Sequence, residues 1–429
     1  MDYIHLFETA GAFNAIYYGE DYNEPWVSYT EENNQVKYNK RNLREQPFTF
    51  SVISGGTIQW SAKNSSFTKT IQYKLNGGDW TEITSNTGDS APTIVVNEGD
   101  VLQFRGDNDS YATGDDTYNS FTNSTALFAV DGNLMSLIKS TGFEELTELP
   151  SAYTFYGLFV HCTGLTSAGN LVLPATTMTD YCYHGMFSGC TSLTYTPELP
   201  ATVMAVNCYG DMFASCTNLV RLPELPATTL AEYCYYGIFR KSEKITKAPD
   251  LPAETLADWC YQSMFSECTS LTVPPKIMAT TFGKNSCNGM FRDCTSLTYA
   301  PELPTTTLTR SCYSYMFERC TGLIQAPELP ATTLAQNCYF NMFNGCTSLT
   351  EAPELPATTL AQGCYQAMFY NCTNLNYVKC LATDISATNC TNNWLVGVSS
   401  TGTFVKDANM ASWRTGGSGI PNGWEIQNA

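Results

Sequence analysis

A short string, Cys-Thr-Ser-Leu or a close variant, recurs along the C-terminal half of the chain at a fixed interval of 26 residues or twice that. Its cysteines are Cys190, Cys216, Cys268, Cys294, Cys320, Cys346 and Cys372. Ser242 stands at the one skipped position, so the frame continues through it. A period of this length indicates an array of stacked units, none of which can bury its apolar face alone. The repeat therefore constrains the fold more strongly than any local propensity.

One full copy of the unit, at residues 328–353, is ELPATTLAQNCYFNMFNGCTSLTEAP. Leu334, Cys338 and Met342 recur at intervals of four, which is close to helical phase. The next segment, 349–353, is short and ends in proline, which cannot donate a hydrogen bond to a neighbouring strand. Each unit is therefore predicted to form one short helical turn followed by one short strand.

Eight such units run from 172 to 379, and a divergent unit at 148–171 precedes them as a capping unit should. Stacking in register would bury like residues on one another, and parallel strands would give a stack roughly 38 Å long. The clearest predicted column is Phe187, Phe213, Phe239, Phe265, Phe291, Phe317, Phe343 and Phe369.

The chain contains 18 cysteines, most of them in pairs eight residues apart. If these pairs were disulfides, Cys234 would face Ser242 and have no partner. Single losses of this kind are tolerated where each cysteine is a small buried apolar residue. We therefore expect free, buried thiols, as in a protein assembled in a reducing compartment. The absence of any Cys-x-x-Cys pair argues against a zinc site.

Residues 47–138 form a different module, in which seven alternating segments between turn residues predict strands. These segments are 48–53, 57–62, 70–75, 80–84, 93–96, 101–105 and 126–130. Asn76-Gly77-Gly78 predicts a hairpin between the third and the fourth. Seven strands in this length predict a β-sandwich.

The two ends differ from both regions. Within 1–46, apolar residues from Leu6 to Tyr17 lie at helical spacing, and a hairpin is predicted around Asn33-Asn34. This segment either packs on the sandwich or attaches the chain to a partner. In 380–429, Trp394, Trp413 and Trp424 are expected to cap the last repeat, with sugar stacking as the alternative.

Three segments of the chain resemble known protein families. The MFxxCTSL core over 148–380 resembles the 26-residue repeats of bacterial surface proteins and the BspA-like leucine-rich repeats, which implies a right-handed solenoid. IQYKLNGGDWTEI resembles a hairpin of immunoglobulin-like modules. HLFETAGAFN and EPWVSYTEENNQVKYN resemble segments of structural proteins of tailed phages of gut bacteria.

The expected fold is multidomain: an all-β sandwich followed by a right-handed leucine-rich-repeat-like α/β solenoid with terminal caps. The domains are 1–46, 47–138, 139–379 and 380–429.

Charge and motifs exclude several classes of function. With 22 Lys+Arg against 40 Asp+Glu, the formal net charge is −18, which argues against nucleic acid as a partner. No apolar run approaches the ~18 residues of a membrane helix, and the N-terminus lacks the pattern of a signal peptide. No familiar catalytic motif occurs, so no catalytic residue, cofactor or metal is predicted.

Two weaker chemical signals each have a structural explanation. Cys182 and His184 could form a thiol–imidazole pair, but Cys182 belongs to a repeated column whose other units lack the histidine, so a structural role is favoured. The aspartates at 107, 109, 115 and 116 could chelate Ca²⁺, but they lack EF-hand spacing, so a solvated acidic loop is favoured.

Two surface columns are candidate binding features. An acidic column would be either a solvated ladder, which is favoured, or a stripe for cations or a basic partner. It consists of Glu198, Glu224, Asp250, Lys276, Glu302, Glu328 and Glu354. In a second column the residue varies from unit to unit, while the neighbouring positions stay fixed. Such variation is expected of positions that are free to recognise a ligand. Neutral drift between repeats explains it equally well. Its candidate binding residues are Tyr195, Arg221, Lys247, Tyr299, Gln325, Glu351 and Tyr377, with Val273 between them.

The sequence thus favours a non-enzymatic adhesion protein. Its solenoid would bind a host-surface glycan or protein, and residues 1–46 would bind other virion or surface proteins. By resemblance it is expected on a phage virion surface as a fibre or decoration component. The alternative is an extracellular adhesin of a bacterial cell surface; a third class, polysaccharide-degrading enzymes, would need paired carboxylates in one cleft. A homo-oligomer stays open, and no membrane insertion is expected.

Overall fold

The computed structural model describes residues 42–429 in full and, before them, the backbone of four strands. The described chain is mostly β, with eighteen strands, four short 3₁₀ helices and no α-helix. The 3₁₀ helices are Leu43–Glu45, Gly88–Ser90, Leu134–Leu137 and Phe143–Glu145. The strands, β1 to β18 in chain order, are His5–Thr9, Ala12–Ile16, Val27–Glu32, Gln35–Lys40, Phe48–Ser54, Gly56–Gln59, Ser61–Ala62, Thr70–Leu75, Thr81–Thr84, Thr93–Val96, Val101–Arg105, Ala112–Gly114, Thr117–Ser120, Leu127–Asn133, Leu165–Val172, Tyr377–Cys380, Thr403–Lys406 and Glu425–Asn428.

The four strands of the N-terminal segment form two antiparallel pairs, β1 with β2 and β3 with β4. The second pair confirms the predicted hairpin, although Asn33 and Asn34 themselves lie outside the described residues. The first pair shows that the helical prediction for this segment was wrong. Apolar spacing near four does not separate a helix from two short strands, and a segment containing glycine, phenylalanine and asparagine has low helix propensity.

The strands predicted between 47 and 138 are all present, with the second divided between β6 and β7. Two strands, β12 and β13, were not predicted, because each is short and the register shifts within their pairing. The largest sheet has six strands in the order β15-β14-β5-β11-β8-β9. The predicted hairpin joins β8 to β9, and Asn76 and Gly77 carry the positive φ values, 48° and 75°, that its turn requires.

The segment of each repeat that was predicted as helical is a series of turns, so the α/β part of the fold prediction was wrong. Backbone N–H groups alternate between two kinds of acceptor. His184 donates to Tyr181, three residues back, while Tyr183 donates to Cys208 in the next repeat. An α-helix would satisfy every N–H group four residues back within its own segment. Here half of them hold successive repeats together.

The period of four that suggested a helix arises from the backbone conformation of these turns. A positive φ recurs at every fourth residue, as at Tyr181 (56°), Gly185 (59°) and Gly189 (74°), and then again at Asn207 (53°). A turn repeated every four residues gives nearly the same apolar spacing as a 3.6-residue helical turn. The sequence pattern therefore located the segment correctly and misassigned its backbone.

The extended part of most repeats is shorter than predicted. It pairs with its neighbours mainly through isolated parallel bridges, such as Tyr195 with Arg221 and Thr177 with Val203. Prolines flank these positions, as Pro197 and Pro200 do, and they cannot donate to a ladder. Only the two ends of the stack form longer strands, β15 at one end and β16 at the other.

Aromatic columns fill the interior of the stack, as the repeat predicts. From Phe159 to Phe369, successive rings of the phenylalanine column lie 5.3–5.9 Å apart and within 18° of parallel. A second column of buried tyrosines, such as Tyr183 and Tyr209 at 5.7 Å, runs beside it. Each fully buried ring contributes roughly 1.5–3 kcal/mol.

All 18 cysteines are buried free thiols, which confirms the predicted role as small core residues. The second cysteine of each repeat also makes a hydrogen bond to the preceding repeat. Cys216 Sγ lies 3.1 Å from the carbonyl oxygen of Phe187, and Ser242 Oγ lies 3.0 Å from that of Phe213. Serine is tolerated in the column because it supplies the same donor at the same place.

Both ends of the stack are covered by rings from the flanking segments. At the N-terminal end, Phe159 stacks on Phe121 at 5.5 Å, and β14 pairs in parallel with β15. At the C-terminal end, Trp394 stacks between Tyr365 at 6.1 Å and Trp413 at 5.7 Å. Because Trp394 is fully buried, its faces are not open to a sugar.

Candidate binding faces

The structure aligns the variable column along one side of the stack. Parallel bridges join Tyr195 to Arg221, Lys247 to Val273, Tyr299 to Gln325, and Glu351 to Tyr377. Paired residues of this kind lie on neighbouring strands about 4.8 Å apart. The residues that the sequence singled out as binding candidates therefore form one ladder, which we call the variable ladder.

The side chains of the variable ladder are accessible. Tyr195 is 38% exposed, Tyr299 is 46% exposed and Val273 is 38% exposed. Arg221, Lys247, Gln325 and Glu351 are exposed, and Tyr377, at the start of β16, is half-buried. The leucines that precede the ladder, such as Leu193 and Leu219, are fully buried. The ladder thus offers aromatic rings and charges of both signs from a backbone whose adjacent residues are fixed by packing.

The predicted acidic column also lies on the surface, and every member is exposed. It is not a row of equivalent free carboxylates. Asp250 Oδ1 accepts the backbone N–H of Lys276 at 3.0 Å, and Glu354 lies 2.9 Å from Lys379 Nζ. The hydrogen bond and charge of Glu354 raise the pKa of Lys379. These contacts suit a solvated, locally compensated ladder better than a cleft with paired carboxylates.

The thiol and imidazole of the Cys182-Tyr183-His184 sequence have different partners. Cys182 Sγ lies 3.6 Å from Met178 Sδ, whereas His184 Nδ1 lies 3.1 Å from Asn207 Oδ1. Burial raises the pKa of Cys182 well above its ordinary value, which opposes thiolate formation. This geometry gives a structural cysteine and not an activated nucleophile.

In the acidic loop at 107–116, the alternative calcium site, two of the aspartates make other contacts. Asp107 accepts the N–H of Ser140 at 2.9 Å, and Asp115 accepts the hydroxyl of Tyr156 at 3.1 Å. Among residues 42–429, no group of three or more His, Cys, Asp or Glu residues is placed to hold a metal ion. Within the same residues, no helix has the length and apolar character needed to cross a bilayer.

A second surface, which we call the turn face, was not predicted from the sequence. It is formed by the outward residues of the repeated turns, six and nine positions before the second cysteine of each repeat. Near its N-terminal end these include the half-buried Tyr181, Tyr233 and Trp259. Aligning the repeats would have shown aromatic residues at these positions in some units and asparagine or glycine in others, which was the available signal.

Further along the same side, charged residues pair between repeats. Arg319 Nη2 lies 2.6 Å from Asp293 Oδ2, and Arg292 Nε lies 2.8 Å from Glu318 Oε2. Burial raises the pKa of Glu318, and the charges of Arg292 and Arg319 oppose that rise. Because two arginines and two carboxylates pair with one another here, the charges of this part of the surface cancel.

Comparison with known families supports the repeat assignment for part of the stack. Residues 286–393 match the family model described as BspA type leucine rich repeat region, in 6 copies. The predicted resemblance extended over 148–380, and the match covers its C-terminal portion. Neither a search of curated proteins nor a search of solved structures found a match to this chain.

Proposed function

We propose that this chain is a non-enzymatic attachment protein whose variable ladder binds a glycan or a protein on a host surface. One observation carries the proposal. Along a stack whose interior is nearly identical from repeat to repeat, the exposed ladder changes from tyrosine to arginine, lysine, valine, glutamine and glutamate. Positions free of packing constraints can be tuned to a ligand.

The family match supports the general class. Repeats of the BspA type suggest a surface or adhesion-type protein. Stacked rings, buried thiols and backbone hydrogen bonds between repeats hold the ladder on a stack of repeats. A rigid display reduces the entropy lost on binding, because few side chains and no backbone segments must be ordered.

The chemistry of the variable ladder suits recognition of a surface ligand. Tyrosine and arginine are the side chains most often found as anchors in binding interfaces. The backbones of Tyr195 and Arg221 are directly bridged, so a tyrosine and an arginine occupy neighbouring positions at one end of the ladder. The acidic column lacks such anchors, and this is why we assign binding to the variable ladder.

We further propose that residues 1–46 attach the chain to a larger particle, with the β-sandwich at 47–138 between the attachment segment and the solenoid. The resemblance of this segment to structural proteins of tailed phages favours a virion as that particle. A bacterial cell surface is the alternative location, with the solenoid in the same role.

The binding proposal is tested by replacing Tyr195, Arg221, Lys247 and Tyr299 together with Ala and measuring adhesion of the purified protein to host cells. We expect adhesion to fall at least about tenfold, because loss of several anchors of about 1 kcal/mol or more each corresponds to that change or a larger one. The melting temperature should change little, since all four side chains are exposed.

A matched control replaces exposed residues elsewhere in the repeats. Lys284, Arg310 and Gln362 are exposed and precede the turn segments, and their Ala variants should adhere like the unmodified chain. Equal adhesion by the ladder variant and the unmodified chain would remove the variable ladder as the binding site. Mass spectrometry of purified particles and of cell envelopes, with and without residues 1–46, distinguishes the two locations.

A further inference from the structure

Two short columns of aromatic rings run along the turn face. In the first column, Tyr153 stacks on Tyr181 with centroids 4.8 Å apart and planes 7° apart. Two repeats further on, Tyr233 stacks on Trp259 at 5.0 Å and 10°. All four side chains are half-buried, so part of each one meets the solvent.

The second column lies beside the first. His184 stacks on Tyr156 at 5.0 Å and 16°. Two repeats after His184, the same position is occupied by Tyr236, whose centroid lies 6.0 Å from that of Tyr233. Both columns therefore have rings in the repeats before and after one repeat, and in that repeat neither column position carries a ring.

In that repeat the two columns are interrupted by Asn207 and Gly210. Asn207 Oδ1 lies 3.1 Å from His184 Nδ1. The same oxygen sits so close to Gly210 that a Cβ added there would collide with it. The asparagine side chain is thus folded over the glycine, so no ring fills the space between Tyr181 and Tyr233. We call this space the notch, with walls Tyr181, His184, Tyr233 and Tyr236 and floor Asn207 and Gly210.

The width of the notch follows from the spacing of the rings. One step along the first column is 4.8–5.0 Å, so two steps separate Tyr181 from Tyr233 by about 10 Å. A group centred in the notch lies about 5 Å from each ring face. A cation is attracted to an aromatic ring within roughly 6 Å of its centroid. The notch therefore brings two ring faces within range of one cation.

The charges around the notch favour a cation as well. Asp180 and Glu232 directly precede the two facing tyrosines, and both are exposed. The pKa of Tyr233 is raised, first by burial and then by Glu232, with contributions from Tyr181 and Asp258. Arg240, in the following repeat, forms an ion pair with Asp211, with Nη2 lying 3.1 Å from Oδ1.

We propose that the notch binds the ammonium group of a small organic cation of the choline class. A quaternary ammonium group is compact and apolar at its surface, and aromatic cages are the sites that proteins use for it. Tyr181 and Tyr233 supply the two ring faces, and the carboxylates beside them supply the opposite charge. This site shares no residue with the variable ladder and does not depend on the ladder's role.

The chain itself supplies the variant that tests the notch. Asn207 has a φ of 53°, and Tyr181 and Tyr233 occupy the same repeat position at 56° and 57°. Tyrosine therefore fits this backbone conformation, and Asn207→Tyr would complete the aromatic column and fill the notch. Asn337, with a φ of 55°, occupies the same position, and its neighbours in the column, Ser311 and Gly363, carry no ring. Asn337→Tyr is the matched control.

The experiment is a titration of the full chain with choline, followed by NMR or calorimetry, with 3,3-dimethylbutan-1-ol as the neutral molecule of the same shape. We expect choline to bind the unmodified chain and the Asn337→Tyr variant equally, and the neutral molecule to bind at least about 10-fold more weakly. Asn207→Tyr should abolish binding. If that variant does not fold, Tyr233→Leu, which removes one ring face, should weaken binding at least about 3-fold.

Several results would overturn the proposal. Equal binding of choline and its neutral analogue would show that charge has no part. Retention of choline binding by a folded Asn207→Tyr variant would place the cation elsewhere. Binding of methyl glucoside with no binding of choline would make the notch a sugar site.

Phosphocholine separates the possible sources of the ammonium group. If it binds as well as choline, a choline-bearing headgroup or polymer fits the notch. If the carboxylates repel its phosphate, the free cation is the ligand.

Discussion

At the scale of single residues, the repeat in 276–301 departs from the others in two linked ways. Where the other units have a buried tyrosine, this unit has Cys287, which leaves a large volume unfilled. Phe282, five residues earlier, replaces the usual leucine or methionine and is 4% exposed. Its ring meets Tyr313 of the next repeat edge-on at 5.1 Å. The phenylalanine occupies space that the missing tyrosine ring would otherwise fill.

This compensation predicts strong coupling between Phe282 and Cys287. Phe282→Leu alone should destabilise the chain by about 1–3 kcal/mol by opening a cavity, and Cys287→Tyr alone should do so by overpacking. The double variant restores the common residues at these two positions and should recover about 0.5–3 kcal/mol relative to the sum. Urea unfolding of the three variants measures the coupling. Additive losses would show that the two residues do not share one space.

At the scale of elements, the first repeat joins the N-terminal module through paired backbone. Phe128 N–H donates to the carbonyl of Gly164 at 3.0 Å, just before β15 pairs with β14. A Cβ at Gly164 would collide with the carbonyl oxygen of Ala126. Close approach of two backbones is a reason for glycine that sequence analysis cannot assign without knowing the partner strand.

The joint between the module and the repeats should therefore depend on this glycine. We expect Gly164→Ala to destabilise the chain by roughly 1–3 kcal/mol, because neither backbone can yield easily. Gly114→Ala is the control, since its added methyl would lie 3.6 Å from Thr117 Oγ1 in ordinary contact. Thermal unfolding followed by circular dichroism compares the two. Equal melting temperatures would contradict the close approach.

At the scale of the whole molecule, one apolar core runs from the N-terminal module through the repeats to the C-terminal tryptophans. The core holds many ionisable groups in neutral form. Burial raises the pKa of Cys162 and Cys216 from 9.0 to about 12, and that of Tyr183 rises well above its ordinary 10.0. The same buried columns that pack the interior of the stack therefore make it sensitive to alkali.

Stability should fall as pH rises above about 9. Unfolded thiols lose their protons near their ordinary pKa of 9.0, while folded Cys162 and Cys216 keep theirs until about 12. In this window the unfolded state binds fewer protons, so each thiol removes ~1.4 kcal/mol of stability per pH unit. Below the window the contribution is fully present.

Urea midpoints measured in reductant between pH 7 and pH 10.5 check this expectation. Replacing Cys216, Cys268 and Cys320 with Ser should keep the hydrogen bonds to the phenylalanine carbonyls and make the pH dependence shallower by about three protons. A midpoint that stays constant to pH 10.5 would show that the buried thiols do not limit stability.

The sequence by itself determined the stack, its register and its interior. Identical residues 26 positions apart can bury their surfaces only on one another, so the phenylalanine and cysteine columns followed directly from the period. The strands between 48 and 130 followed from alternation and turn residues. The variable ladder was also predictable, because its members hold one position in the repeat and the bridges align them as expected.

Only the tertiary structure decided the backbone of the repeats and the geometry of the turn face. Apolar spacing near four is shared by a helix and by turns with a positive φ at every fourth residue, and the difference lies in hydrogen bonds to the next repeat. The notch depends on where Asn207 Oδ1 lies relative to Gly210 and His184. Such distances between neighbouring repeats are set by packing, so no pattern within one repeat specifies them.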